Sequence, residues 1–308
     1  MKGLELAERY YLDCGREMLS RCFPQHKDRV ACGLAGEGSD CLGFDDAVSR
    51  DHDFGPGFCM WLTDEDEAEI GDALRAAYRA LPQSFMGCAA RDPVSYGEQR
   101  LSAMRLTRFY MKFTGLPRAP ESLDEWRRIP EHFLAAAVSG AVFEDALGAF
   151  SAIRDRLSAF YPEDIRLKKL AARAAGMAQA GQYNYARCVR RNDAAAALRA
   201  LSEFVGAACS MAHLLNKRYT PWYKWAHRSL RDLKVLPEAH GLIGALCADG
   251  TAERRRIDLI EELCARVIAA LKAQGLTSGT GDFLLDHGPA IMQGIRDERI
   301  RAMHVMAE

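Results

Sequence analysis

Apolar positions over residues 3–22 recur at near-helical spacing, with Leu4, Leu6, Tyr11, Met18, Leu19 and Cys22 in an approximate stripe, and predict an amphipathic helix. Residues 30–36 are a short continuous apolar run of strand length that ends in the turn Gly36-Glu37-Gly38-Ser39. A second strand candidate spans residues 53–62, where Gly55-Pro56-Gly57 must break or bulge it. Thr63 and Asp64 stand where a helix cap belongs. Residues 65–81 then read as a helix with Asp66 and Glu67 in its first turn and Pro82 beyond its end. A loop over residues 91–97 precedes a third strand candidate at 101–107.

After Gly115-Leu116-Pro117-Arg118-Ala119-Pro120 the pattern changes to an alanine-rich, helical one that runs to residue 308. Residues 193–215 carry Leu198, Leu201, Val205, Ala208, Cys209, Ala212 and Leu215 at three-and-four spacing. Residues 257–274 repeat the pattern with Ile257, Ile260, Leu263, Cys264, Val267, Ala270 and Leu271, and close on Gly275-Leu276, a Schellman-type end. The predicted class is α+β: a small mixed sheet with flanking helices in residues 1–118, followed by an all-helical bundle in residues 119–308.

Composition narrows the function classes. Lys and Arg number 41 against 42 Asp and Glu, a formal net charge of −1, which argues against a dedicated polynucleotide binder. Arg187, Arg190 and Arg191, and further on Arg254, Arg255 and Arg256, still form local basic clusters; the last three read as a solvated helix end. The ten cysteines include no Cys-x-x-Cys pair and support neither a zinc site nor a disulfide framework. Acids interrupt the apolar pattern of the first residues, unlike a signal peptide, and no stretch reads as a transmembrane span. The expectation is a reduced, cytoplasmic protein with no membrane partner.

Chemistry concentrates upstream of the second strand candidate. Gly38-Ser39 is followed, after eleven residues, by Asp51-His52-Asp53. On an extended chain residues i and i+2 share a face, so Asp51 and Asp53 would project together. Paired carboxylates are hard oxygen ligands that suit Mg²⁺, whose remaining positions go to water and substrate phosphates. A glycine-containing turn just upstream can offer backbone N–H groups to a phosphate chain. Arg50 beside the acids is either a phosphate contact or the partner of Asp45 or Asp46.

This pattern resembles the signature of the DNA-polymerase-β-like nucleotidyltransferase superfamily, with Gly38, Ser39, Asp51 and Asp53 matching position by position. Ser49 ahead of the acids resembles the Ser-Asp-x-Asp variant of antibiotic-modifying members. Over nearly its whole length the chain resembles a bacterial family known as domain of unknown function 4037, through residues 43–58, Gly-Gln-Tyr-Asn-Tyr-Ala-Arg-Cys at 181–188, Asn-Lys-Arg-Tyr at 216–219 with Tyr-Lys-Trp at 223–225, and residues 282–289. The superfamily resemblance implies that Asp51 and Asp53 bind two Mg²⁺ ions. It also implies that Gly38 and Ser39 hold the phosphates of a nucleoside triphosphate, whose nucleoside monophosphate passes to a hydroxyl acceptor on a small molecule or a protein. Two departures stand out: His52 occupies a position that is usually apolar, and the strand candidate at 101–107 lacks the superfamily's third carboxylate, with Asp92 and Glu98 just before it.

In the helical part, Gly181 followed by Gln182-Tyr183-Asn184-Tyr185 marks a helix start or kink. Asn184 and Arg187 are candidate nucleotide or acceptor contacts facing Asp51 and Asp53 across an inter-domain cleft; in the alternative reading the tyrosines are core and Arg187 is solvated. Lys217 and Lys224 are candidate nucleotide or substrate contacts in a stretch with four aromatics and three cations, where Trp222 and Trp225 read better as core. His287 reads as structural. Two other classes remain open: a nucleotide-binding or toxin–antitoxin-like module that has lost catalysis, and a metal phosphohydrolase using His52-Asp53.

Overall fold

The computed structural model describes residues 1–50, 54–89, 91 and 101–308, the side chain of Arg50 excepted. In chain order its elements are α1 (Gly3–Tyr10), a π-helical turn (Tyr11–Gly15), α2 (Arg16–Cys22), β1 (Ala31–Leu34), β2 (Cys59–Leu62), α3 (Asp64–Arg79), β3 (Ser84–Phe85), β4 (Cys88–Ala89), β5 (Ser102–Arg105) and α4 (Leu106–Thr114). Then come α5 (Leu123–Arg128), α6 (Glu131–Val138), β6 (Ala141–Glu144), α7 (Ala149–Ser158), α8 (Glu163–Met177), a second π-helical segment (Ala178–Tyr185), α9 (Ala186–Arg190) and α10 (Ala194–Leu215). The last helices are α11 (Tyr223–Ser229), α12 (Ala239–Cys247), α13 (Glu253–Ala273), α14 (His287–Met292) and α15 (Glu298–Arg301). Two compact units result: residues 1–120 with 136–159, and residues 121–135 with 160–308.

The first unit is α+β around a four-stranded mixed sheet of order β5-β2-β1-β6. β2 pairs antiparallel with β1 and parallel with β5, and all four residues of both β1 and β2 are buried. Coverage of both faces explains why these strands read as continuous apolar runs rather than alternating ones. On one face Phe58, Met60 and Leu62 pack with Tyr10, Tyr11, Met18 and Leu74. The π-helical turn brings Gly15 so close to Phe58 that an added Cβ would lie 2.5 Å from the ring. On the other face Trp61 stacks on Phe150 at 3.9 Å. Thr63 caps α3 as predicted, its side chain accepting from the Asp66 N–H.

The chain after residue 118 is not all-helical. β6 pairs antiparallel with β1, and with α7 it completes the first unit. Four half-buried residues on a sheet edge carry no alternation, and they sit between alanine-rich helices. The pairing instead depends on Gly140, which has φ +71° and whose added Cβ would lie 1.9 Å from the Leu34 carbonyl oxygen.

The second unit is helical, centred on α8 and α10. Gly181 in the π-helical segment lets that backbone lie against Phe204 of α10 and Ile260 of α13, where a Cβ would come within 2.3 and 2.9 Å. α13 ends in the Schellman pair, with Leu276 N–H to Leu271 O and Gly275 N–H to Lys272 O both at 2.9 Å. On α10 the buried face runs through Ala197, Leu201, Phe204, Ala208 and Met211, whereas Leu198, placed on the stripe from sequence, is 69% exposed. Among the described residues α10, at 22 residues, is long and apolar enough by length and composition alone to cross a membrane, a test that a buried core helix also passes, and its face just named is buried against protein.

Gly140→Ala and Gly148→Ala both place an L residue at positive φ, but only Gly140 faces a backbone atom; nothing lies within 4 Å of a Cβ at Gly148. Gly148→Ala should cost about 1 kcal/mol, and Gly140→Ala at least about twice that. Equal losses in chemical denaturation would show that β6 is not held by this close approach.

Candidate functional site

The chain leaves β1 and enters β2 at one end of the sheet, and the Gly38-Ser39 turn lies there. Gly33 of β1 is paired with Cys59 of β2 in antiparallel register, so the chain leaving β1 and the chain entering β2 are neighbours. The exit from β1 is a turn in which Gly36 has φ +107° and Gly38 φ +149°, backbone that a side chain would strain. Ser39 follows, half-buried, its carbonyl accepting the Phe44 N–H at 2.8 Å.

A buried guanidinium joins the segment that leaves β1 to the one that enters β2. Arg91 donates through Nη2 to the Asp40 carboxylate at 2.9 Å and through Nε to the Gly55 carbonyl at 3.1 Å, and both side chains of the ion pair are 6% exposed. Asp40 directly follows Ser39, and Gly55 stands two residues after Asp53. From the other side, Ser139 Oγ donates to the Gly36 carbonyl at 2.7 Å and the Gly140 N–H to the Cys41 carbonyl at 2.8 Å. Arg154 in turn donates to the carbonyls of Ser139 and Gly140, both at 2.9 Å. Sequence reasoning missed Arg91, Ser139 and Arg154, because none belongs to a motif and each bonds a group in another segment, a backbone carbonyl or the Asp40 carboxylate.

Asp45 is buried and accepts the Gly3 N–H at 2.9 Å at the start of α1. The hydroxyl of Ser49, read as part of an acidic motif, donates to Asp46 at 2.9 Å within a short turn that includes Arg50. Asp51, His52 and Asp53 lie outside the described residues, as do Asp92, Glu98 and the Arg50 side chain. β5 contains no acid. The acids on neighbouring α3 follow the far end of β2 and are engaged. Glu67 bonds Arg75 at 2.8 Å and Arg105 at 3.1 Å, which holds its carboxyl below the usual range, and Asp64 accepts from Thr107 Oγ1 at 2.7 Å. They border a groove of about 900 Å³ that reaches Gly36 and Glu37.

In the second unit the segment singled out from sequence is π-helical, the rare geometry that recurs at functional sites. Gln182 is structural: its amide donates to Glu261 at 2.7 Å and to the Asp282 carbonyl at 3.1 Å, and accepts the Leu284 N–H at 2.8 Å. Tyr185 is buried. Tyr183 is exposed, with the Arg187 guanidinium 4.7 Å from its ring centroid. Among the described residues, Arg187 has no carboxylate partner and the Asn184 side chain has no hydrogen bond. Lys217 is exposed in the turn after α10. Phe204, which Gly181 touches, lies roughly 20 Å along the helix axis from Lys217 at 1.5 Å per residue, and α9 lies on the other side of Phe204. The structure therefore does not bring Lys217 together with Arg187.

Trp222, read as core, is 46% exposed and packs against His132 at 4.3 Å, while Tyr219 is the buried aromatic, against Phe160 and Tyr161. His287 is structural as expected, fully buried between Thr277 Oγ1 at 2.9 Å and the Gly281 carbonyl at 3.0 Å. Sequence reasoning also missed Glu131. This buried carboxylate accepts from Arg173 at 2.9 Å, Ser210 at 2.9 and 3.0 Å and Thr220 at 2.7 Å. Burial alone would raise its pKa, but Arg173, Lys169 and these hydroxyls outweigh it and bring the pKa down to about 2.

Residues 126–226, about a third of the chain, match the family model for Domain of unknown function (DUF4037). The family resemblance is borne out over that stretch, which contains 181–188, 216–219 and 223–225; residues 43–58 and 282–289 lie outside it. Among solved structures, the chain is similar to a nucleotidyltransferase-like protein from Exiguobacterium sibiricum, at 13% identity and a TM-score of 0.35, over 84% of this chain and 76% of that one. No curated protein matches the chain in sequence.

Two outcomes follow. Arg91→Met leaves the Asp40 carboxylate buried without its guanidinium and should cost about 3–5 kcal/mol, whereas Arg91→Met with Asp40→Leu should recover part of that loss. Chemical denaturation of both variants checks this, and equal losses would contradict it. Glu131 has a folded pKa below its unfolded value of about 4.5, so its contribution is present above pH 4.5 and disappears as pH falls towards 2. Glu131→Gln should be less stable at pH 7 and show a shallower loss over that window; parallel pH–stability curves would refute it.

Proposed function

We propose that the chain is a metal-dependent nucleotidyltransferase that moves a nucleoside monophosphate from a nucleoside triphosphate to a hydroxyl acceptor. One observation carries the reading: Arg91 bonds both Asp40, beside Gly38-Ser39, and Gly55, just after Asp53. A phosphate-cradling turn and an acidic pair serve one reaction only when held at one place, and a buried ion pair is a rigid way to hold them.

Asp51 and Asp53 would hold Mg²⁺, since two closely spaced carboxylates supply the hard oxygen donors that ion takes. When bound, the metal neutralises triphosphate charge and lowers the pKa of the attacking hydroxyl. Gly38 and Ser39 contribute N–H donors and a hydroxyl to the β- and γ-phosphates. In the transfer the acceptor oxygen bonds to the α-phosphorus, the bond to the bridging oxygen breaks, pyrophosphate leaves and the hydroxyl proton passes to solvent. In the second unit Arg187, stacked on exposed Tyr183, and Asn184 offer an unpaired cation, a ring face and an amide to the nucleotide or acceptor. Lys217 is proposed as a phosphate contact. A cytoplasmic location completes this reading.

The acid-free β5 favours a second reading, a nucleotide-binding module without catalysis. Release of pyrophosphate from each nucleoside triphosphate, with mass spectrometry of the products, separates the two. On the first reading wild-type protein transfers nucleotide only with Mg²⁺, and Asp51→Asn or Asp53→Asn loses about 100-fold or more with the melting temperature unchanged. Binding of Mg²⁺-nucleotide with no transfer from any triphosphate establishes the second reading, and wild-type turnover in either variant excludes the first.

A further inference from the structure

The second unit contains a cationic cluster that the nucleotidyl-transfer reading does not use. Lys169 and Arg173, one helical turn apart on α8, face buried Tyr161. Arg173 forms a two-pronged ion pair with the Glu308 side chain, its Nη2 at 3.0 Å from Oε2, while the same Nη2 also donates to Glu131.

This arrangement leaves hydrogen-bond capacity unfilled. The Lys169 side chain is 5% exposed, yet the Glu308 oxygen nearest its ammonium lies 3.6 Å away, beyond hydrogen-bond range. That ammonium also lies over the face of the Tyr161 ring, 5.4 Å from the centroid, and near enough to Glu131 to lower that carboxyl's pKa. The buried Tyr161 hydroxyl has no hydrogen-bond partner among the described residues. A buried donor without an acceptor is costly, and here the phenol carries that deficit beside an ammonium and a guanidinium. Glu131 cannot make it up, because its oxygens already accept from Arg173, Ser210 and Thr220.

We infer that Lys169, Arg173 and Tyr161 form an oxyanion site for a phosphate group, which the Glu308 carboxylate occupies in its place. A carboxylate offers two oxygens in a plane and reaches only the guanidinium well. A phosphate or pyrophosphate presents three or more oxygens in a tetrahedral arrangement, enough for the guanidinium, the ammonium and the phenol together. Glu308 thus acts as an internal competitor, and occupancy by phosphate requires that the segment carrying it swing away. That segment is also held by the Lys168 ammonium, which donates to the carbonyls of His304 at 3.0 Å and Val305 at 2.7 Å, so ligand binding and its release are coupled.

The site is tested on the full chain by calorimetric titration with inorganic phosphate, pyrophosphate and ATP in a low-salt chloride buffer, with circular dichroism melting as a fold control. Glu308→Ala should bind pyrophosphate about ten-fold more tightly than wild type, and adding Lys169→Met should abolish the gain. Tyr161→Phe in the Glu308→Ala background should weaken binding several-fold without lowering the melting temperature. Pyrophosphate should bind equally well to Glu308→Ala with Asp51→Asn, so failure of this inference and failure of the nucleotidyl-transfer reading are distinguishable. Pyrophosphate affinity unchanged by Glu308→Ala, or binding confined to ATP and lost with Asp51→Asn, would overturn the site.

Discussion

One guanidinium holds together the part of the first unit where chemistry is proposed. Arg91 is almost completely buried, with its charge matched by Asp40 and a further donor spent on the Gly55 carbonyl. An uncompensated charge at such a place would be prohibitive, so the pair constrains where the β1 exit and the β2 entry lie. Glycines do the complementary task. The positive φ at Gly36 and Gly38 lets the turn form, and the bare Cα of Gly140 lets the β6 segment come up against the Leu34 carbonyl. The result is a loop fixed from two sides by bonds to its backbone, which leaves its sequence free to serve a ligand.

The second unit follows the same logic with opposite charge. Glu131 is buried among Arg173, Ser210 and Thr220, and the cations of α8 that serve it also reach Glu308. Arg173 is well satisfied there while the Lys169 ammonium stays 3.6 Å from the nearest Glu308 oxygen, which makes this cluster chemically suggestive. In the π-helical segment Gln182 spends its hydrogen bonds on the fold, while Arg187 rests on an exposed tyrosine with no carboxylate partner among the described residues.

Much of the fold was legible because it depends on local rules. Strand-length apolar runs located β1 and β2, Thr63 and the acids after it located α3, and Gly275 located the end of α13. β6 was not legible, since an edge strand of four half-buried residues leaves no periodic trace. Leu198 misled because its spacing fits the α10 stripe, whereas Phe204 fills the buried face. At the candidate site the Gly-Ser turn was readable from its residues, and the π-helical segment from its unusual composition. Arg91, Ser139 and Glu131 were not, because their partners are distant in sequence and are backbone carbonyls or residues of other elements. The separation of Lys217 from Arg187 was hidden for a related reason: only packing of Gly181 on Phe204 fixes which end of α10 each approaches.

Asp51 and Asp53 are proposed to form a two-metal centre completed by triphosphate bound at Gly38-Ser39. Titration of the full chain with Mn²⁺, followed by electron paramagnetic resonance in the presence of a non-hydrolysable nucleoside triphosphate, addresses it without knowledge of the acceptor. Two bound Mn²⁺ ions per chain that depend on the nucleotide are expected, with loss of both in the Asp51→Asn, Asp53→Asn double variant. An unchanged Mn²⁺ stoichiometry in that variant would contradict it.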